Sequence, residues 1–410
     1  MNGKLSRIAV LSIWEGMWSL GEGCGVPDEM HFINGLTARG VEIDYLIPEP
    51  ADRRDPYTHE GLRYHHYPNI FRSYGRLPGP AKRFLVPGLF PRAVMPALRK
   101  LASERRPDLI LGYTYYALGP IGVAAKEAGI PSVAKLFGVM YLNHLGMPKL
   151  KYWWYNYEQI LAMRKRVDHY IVLNDGTQGR DALTRLGIPA QKISFLPNGM
   201  DKGWAGLDVD RAGTRASLGL PPDKTLLVTF SRLVGSKRVD LFLEAAALIS
   251  PALLEGAAIV IGGDGPYRAR LEARARELGL GDRTFFTGPL RYEEVPRFLK
   301  ACDIFVGTNE LTNMSMPPCE ALLCGLPVVA FDVAGTSETV IDGRNGLLAP
   351  DNDLPALASK IETLLADREL RERLGRQAMA SALENFMSWD ERVSKEIELF
   401  ERLSGGKYHP

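Results

Sequence analysis

Cysteine and histidine are scarce in this 410-residue chain, with four of the first and seven of the second. Cys24, Cys302, Cys319 and Cys324 form no CxxC pair, and no Cys/His cluster has zinc spacing. A zinc module is therefore excluded, and buried reduced thiols are expected, with a disulfide or a reactive thiol as the alternative. Charge of neither sign is in excess. Fifty Lys and Arg against 48 Asp and Glu leave a net charge of +2, which gives no footprint for nucleic acid. Long apolar runs are also missing. No run reaches the roughly 18 apolar residues of a membrane span. The start, MNGKLSRIAVLSIW, resembles a weak signal peptide, but the run stops at Trp14-Glu15 and no small-residue cleavage site follows. Residues 7–13 read as a first buried strand, in a cytoplasmic protein.

What is present is ordinary globular composition, 46% hydrophobic and 24% charged, long enough for two domains with cores of their own. Short β-rich runs at residues 8–13, 42–47, 109–112, 133–137 and 169–173 alternate with helical stretches such as 28–39 and 121–128. That alternation predicts βαβ units and a parallel sheet covered by helices. The pattern restarts after Leu196-Pro197-Asn198-Gly199, with strands at 225–230, 258–261, 284–286, 304–306 and 328–331. The fold class is α/β, one Rossmann-like domain after another. The expected division is 1–198, completed by 390–410, and 199–389. The end of the chain reads as helices over 354–365 and 368–384 and a last helix carrying Trp389, Val393, Ile397 and Phe400. Residues 404–410 are expected to fray.

Four stretches in the second half each stand at a strand end, where open parallel sheets bind ligands. In Phe230-Ser231-Arg232-Leu233-Val234-Gly235-Ser236-Lys237-Arg238, two cations five apart precede a helix. Arg232 can bond diphosphate oxygens bidentately and Lys237 can act as a point charge, or both are surface cations. Gly262-Gly263-Asp264-Gly265-Pro266 permits a tight turn and close approach by a ligand, through Gly263 and Gly265. Phe286-Thr287-Gly288-Pro289-Leu290 is a structural turn or one whose backbone reads a base edge. The run from Thr312 through Met314, Ser315 and Met316 to Pro318 enters a helix whose free amides and dipole suit a phosphate. Glu320 then either accepts hydrogen bonds from vicinal hydroxyls or only complements the dipole.

In order and spacing, these stretches resemble glycosyltransferase family 4. So do Pro197–Asp201, Phe386–Trp389 and the run from Glu320-Ala321 to Gly325-Leu326-Pro327-Val328-Val329. The resemblance implies the retaining GT-B fold, with two Rossmann-like domains facing across a cleft and a C-terminal helix crossing back to the first. It implies that Arg232 and Lys237 hold the diphosphate of a UDP-, GDP- or ADP-sugar and stabilise the leaving group, and that Glu320 binds the ribose. Backbone around Met314–Met316 contacts phosphate or sugar, and the loop Gly21-Glu22-Gly23-Cys24-Gly25 faces the same cleft. No cofactor beyond this co-substrate and no metal is implied; no Asp-x-Asp metal triad is evident, and the cation pair makes a divalent ion unnecessary. Two positions depart from the family. Thr312 stands where a sugar-contacting glutamate is usual, with Glu310 two residues out of register. Phe137 stands where a histidine is often found, with His144 seven residues on. A catalytically quiet sugar-nucleotide binder is the alternative to a hexosyltransferase of cell-surface polysaccharide, glycolipid or glycoside synthesis.

The first half carries less. Residues 71–106 interleave nine basic residues with Phe84, Leu85, Leu89 and Phe90 and hold no acid before Glu104. The run suits an anionic inner membrane face or a phosphorylated lipid acceptor, or it forms a solvated helix. Lys149–Tyr157 (KLKYWWYNY) suits a membrane interface, sugar stacking or an interdomain helix. Tyr113, Tyr115 and Tyr116 are expected to line a cleft. The acceptor is a sugar, a lipid-linked group or a small molecule.

Overall fold

The computed structural model describes residues 5–13, 27–50, 57–70, 79–137, 139, 146–173, 179–310 and 315–405, without the side chains of Pro27 and residues 79–84. The chain forms two compact units, Met1–Gly199 with Trp389–Pro410, and Met200–Ser388.

The first unit is built on a seven-stranded parallel sheet of order β3-β2-β1-β4-β5-β6-β7. Its strands are β1 (Arg7–Leu11), β2 (Glu42–Pro48), β3 (Leu62–Tyr67), β4 (Leu109–Tyr113), β5 (Ser132–Leu136), β6 (His169–Val172) and β7 (Ile193–Phe195). β4 and β5 are buried along their whole length, as strands covered on both faces must be. Helices Gly79–Arg105, Thr114–Ala128 and Lys149–Met163 pack one face, and Pro27–Thr37 and Trp389–Gly405 pack the other. Helix Gly79–Arg105 keeps Pro87, Pro91 and Pro96 in its interior, each of which removes an intrahelical hydrogen bond. Its stripe of Val86, Phe90, Val94, Leu98 and Leu101 is buried in the core, which offsets that cost. Phe90 is therefore core, not a membrane contact. Arg99 is bound by both oxygens of Glu127 at 2.7 Å, and residues 71–78 lie outside the described residues.

The second unit has a six-stranded parallel sheet of order β10-β9-β8-β11-β12-β13. The strands are β8 (Thr225–Phe230), β9 (Ala257–Gly262), β10 (Thr284–Gly288), β11 (Ile304–Gly307), β12 (Val328–Asp332) and β13 (Gly346–Pro350). Helix Leu354–Ala366 shows how local sequence sets an element here. The Asp353 carboxylate accepts from the Ala356 amide, Pro355 sits in the first turn, and Leu357, Ala358, Ile361 and Leu364 form the buried stripe. Cys302, Cys319 and Cys324 are buried and free, and burial pushes the last two thiols up to about 12. Cys24 lies outside the described residues.

A buried charge cluster ties the last helix into the first unit. Lys135 on β5 is fully buried, with its Nζ 3.1 Å from Asp28 and 3.6 Å from Glu396. Arg392, also fully buried, pairs with Glu396 one turn along and lies 4.0 Å from Asp28. Burial works against the Asp28 carboxylate, but the charges of Lys135 and Arg392 overcome it and hold its pKa below the ordinary value. Burial pushes the Glu29 carboxyl up to about 7 despite Lys135, and the hydroxyls of Tyr45 and Tyr113 donate to it. Tyr113 thus lines no surface; it is a buried partner of Glu29. Removing one member of such a cluster strands the others without compensation. Lys135→Met is expected to cost the first unit about 3–5 kcal/mol, read as a lower urea midpoint for that unit. An unchanged midpoint would show that Lys135 is not part of the tether.

Candidate functional site

The order of the second sheet reverses between β8 and β11. Successive strands run outward through β9 and β10 on one side and through β12 and β13 on the other. Such a reversal opens a crevice at the carboxyl ends of the two central strands. The stretches singled out in the sequence follow β8, β9, β10 and β11, so the topology brings four separated segments to one edge.

Backbone hydrogen bonds join them. The amide of Leu233 donates to Asp264 O at 2.9 Å, and that of Tyr267 donates to Leu233 O at 3.0 Å. The amide of Gly263 donates to Gly288 O at 2.7 Å. The loops lie too close for side chains. Gly263 sits at φ +103°, and a Cβ there would fall 1.9 Å from Ser231 O. A Cβ on Gly265 would fall 2.5 Å from Leu233 O. Both glycines are thus fixed by the approach of the Arg232 loop. Pro289 is exposed, and Leu290 is half-buried beside Gly262.

Charge at this edge is uneven. Arg232 is exposed and Lys237 half-buried. Burial, and then the nearby Arg232 charge, lower the Lys237 ammonium from its ordinary value. Glu320, in helix Met316–Leu323, is only 5% exposed, and no hydrogen bond or ion pair engages its carboxylate among the described residues. Burial pushes its carboxyl up to about 8. Its neutral form therefore favours folding, and that contribution is lost as the pH climbs from 4.5 to about 8. A buried carboxyl without partners suits a ligand that brings hydroxyl donors.

Two features around the start of helix Met316–Leu323 were not seen in the sequence. Pro317 and Pro318 are the second and third residues of the helix and carry no N–H. Of residues 315–318, only Ser315 and Met316 can offer an amide to an anion. Ser315 is held at the helix start, its Oγ accepting from Asn309 Nδ2 at 3.0 Å. The second feature is Arg238. Its Nε and Nη2 donate to the carbonyls of Thr308 and Asn309, both at 2.8 Å. Nη1 and Nη2 also reach Asn352 and Asp351, at 3.0 and 2.9 Å. Arg238 therefore braces the loops after β8, β11 and β13, and it does so at φ +47°, a conformation costly for a side chain. Asp351 belongs to one of two Asp-x-Asp spacings in this unit, Asp208/Asp210 and Asp351/Asp353. Asp210 and Asp353 cap helices and Asp351 pairs with Arg238. No group of three or more His, Cys, Asp or Glu among the described residues could hold a metal ion. Gly21, Gly23, Gly138, His144, Thr312 and Met314 lie outside the described residues. Phe137 packs edge-on against Tyr113 at 5.5 Å.

Arg238→Gly keeps the backbone conformation without strain and removes the brace. The variant is expected to melt near the parent temperature while the Glu310 amide, which donates to Ser236 O at 3.1 Å, exchanges hydrogen at least about tenfold faster. Unchanged exchange at Glu310 would show that the loops hold without Arg238.

Two family models match, "Glycosyl transferase 4-like domain" over residues 30–199 and "Glycosyl transferases group 1" over residues 210–380. The chain is 31% identical over 420 residues to a D-inositol 3-phosphate glycosyltransferase of Acidothermus cellulolyticus, covering 94% of this chain and 88% of the relative. It is 32% identical over 225 residues to a GDP-mannose-dependent alpha-(1-6)-phosphatidylinositol monomannoside mannosyltransferase of Mycolicibacterium smegmatis. That match covers 53% of this chain and 57% of that protein's length. Among solved structures, the HepE protein of Anabaena in complex with UDP and glucose superposes with a TM-score of 0.72 at 21% identity, over 97% of this chain and all of the other. The sequence of strands, the motif order and these likenesses agree: the chain belongs to glycosyltransferase family 4, the group 1 glycosyltransferases of GT-B fold.

Proposed function

We propose that the chain moves a hexose from a nucleoside-diphosphate sugar to a hydroxyl acceptor with retention at the anomeric carbon. The observation that carries this reading is Glu320, buried and unengaged among the described residues, in the helix that follows β11 at the same strand edge as the loop of Arg232 and Lys237. In this reading Glu320 accepts from the two ribose hydroxyls. Arg232 forks onto the diphosphate, and Lys237 adds a point charge whose burial strengthens it. Gly263 and Gly265 serve the donor through the Arg232 loop that they let approach, and the backbone at Pro289 and Leu290 faces the base. The amides of Ser315 and Met316 meet the distal phosphate, and Thr312 and Met314 complete the sugar side.

The transfer balances without a carboxylate pair. The bond from anomeric carbon to phosphate oxygen breaks, the bond to the acceptor oxygen forms on the same face, and the acceptor proton passes to the departing phosphate oxygen. The protein supplies positioning and positive charge against the leaving diphosphate, the task a divalent ion would otherwise perform. The names of the relatives support two donor bases, GDP in the mannosyltransferase and UDP in HepE, and ADP stays within the same chemistry. For the acceptor, the relatives' names favour an inositol-bearing or lipid-linked hydroxyl, in the synthesis of cell-surface glycolipid, polysaccharide or glycoside.

The packing of Phe137 against Tyr113 favours a second reading, a binder of sugar nucleotides that does not turn them over, because an aromatic ring there cannot hold a sugar hydroxyl as histidine can. A thermal-shift screen of UDP-, GDP- and ADP-sugars should find one donor that stabilises the protein, by about 2.7 kcal/mol at a hundred times Kd. Turnover of that donor, with release of nucleoside diphosphate, should fall by roughly 10²–10³ in Arg232→Ala and in Lys237→Ala. Parent-like activity in both variants would overturn the assignment; stabilisation with neither transfer nor slow hydrolysis would favour the binder.

A further inference from the structure

Helix Lys149–Met163 is amphipathic with its apolar side outward. Its buried residues include two amides, Asn156 and Gln159, beside Ile160 and Met163. Its exposed residues include Leu150 at 87%, Trp153 at 50%, Trp154 at 40% and Leu161 at 46%. At 3.6 residues per turn these four fall within an arc of about 100°. No other helix of the described chain exposes two tryptophans, and large apolar groups gathered on one exposed face mark a docking surface.

Charge identifies the occupant. Lys149 and Lys151 stand at one end of the stripe, and Arg164, Lys165 and Arg166 follow its other end, all exposed. Glu158 is the one acid between residues 149 and 166, and the Tyr116 hydroxyl donates to it at 2.6 Å. Tryptophan side chains suit the boundary between headgroups and acyl chains, and flanking cations suit anionic headgroups. A second copy of the chain fits poorly, because two stripes face to face would bring two sets of five cations together. We propose that this helix docks the first unit onto an anionic bilayer, with Leu150, Trp153, Trp154 and Leu161 inserted at the interface. The surface stands independently of the donor-site reading, and no helix among the described residues is long and apolar enough to span a membrane.

The test uses the full chain with vesicles of phosphatidylcholine alone and of equal parts phosphatidylcholine and phosphatidylglycerol. Cosedimentation with the anionic vesicles is expected, with a blue shift of tryptophan emission and weakening by salt. Trp153→Ala/Trp154→Ala should reduce partitioning at least tenfold, and Lys149→Glu/Lys151→Glu should abolish the preference for anionic lipid. Leu150→Glu, at the most exposed position of the stripe, provides a variant whose folding is not at issue. Melting temperatures of the variants should match the parent. The proposal is overturned if the parent ignores anionic vesicles, if all three variants bind as it does, or if sedimentation velocity shows a dimer that Trp153→Ala/Trp154→Ala dissolves.

Discussion

The backbone of Ser231–Leu233 lies against that of Gly262–Gly265 with no space for a side chain between them. The rest of the candidate site depends on this approach. It brings the carboxyl ends of β8 and β9 to contact distance, and the bond from Gly263 to Gly288 extends the contact to β10. On the other side, Arg238 fastens the same loop to the segment after β11. Four loops from distant parts of the sequence behave as one edge because main-chain groups join them. A ligand binding there meets a surface that is already ordered, which lowers the entropy lost on binding.

The chain buries carboxylates in two ways. In the first unit Asp28 and Glu396 face Lys135 and Arg392, and Glu29 is covered by two tyrosine hydroxyls. Each charge there has a neighbour of opposite sign or a donor, and the result is a helix held to a sheet. In the second unit Glu320 has neither among the described residues, and its carboxyl is pushed up by burial. A fold that can satisfy buried carboxylates and leaves this one unengaged keeps a strained group where a ligand can relieve it.

The central strands were legible in the sequence, and of the four edge strands only β10 was. Residues 304–306 are an unbroken apolar run and residues 225–230 are broken only by Thr225 and Thr229, because both faces of β8 and β11 are covered. β3, β7 and β13 were missed, and all three lie at sheet edges. There one side is open and the pattern thins: Leu62–Tyr67 carries Arg63, His65 and His66, and Ile193–Phe195 has three residues. The glycines at 263 and 265 and the cations at 232 and 237 could be found because motif spacing survives in the chain. Arg238 could not, since its positive φ and its four partners, up to 114 residues away, leave no local trace. The effect of Pro317 and Pro318 was readable in principle, because proline lacks a donor, but it became clear only once the helix was seen to begin at Met316. The outward-facing stripe of Lys149–Met163 was ambiguous for a related reason: periodicity places residues on one face without saying which face is buried.

The measurement that bears most directly on the account is calorimetric titration of the preferred nucleoside diphosphate at pH 7, in buffers of different ionisation enthalpy, for the parent and Glu320→Gln. With its carboxyl pushed up to about 8, Glu320 is largely protonated in the free protein at this pH. Two ribose hydroxyls donating to it favour the charged form, so binding should expel close to one proton and tighten as the pH rises toward 8. The Gln variant should bind more weakly and release that much less. Equal affinity and equal proton release in the two proteins would contradict the placing of the ribose at Glu320.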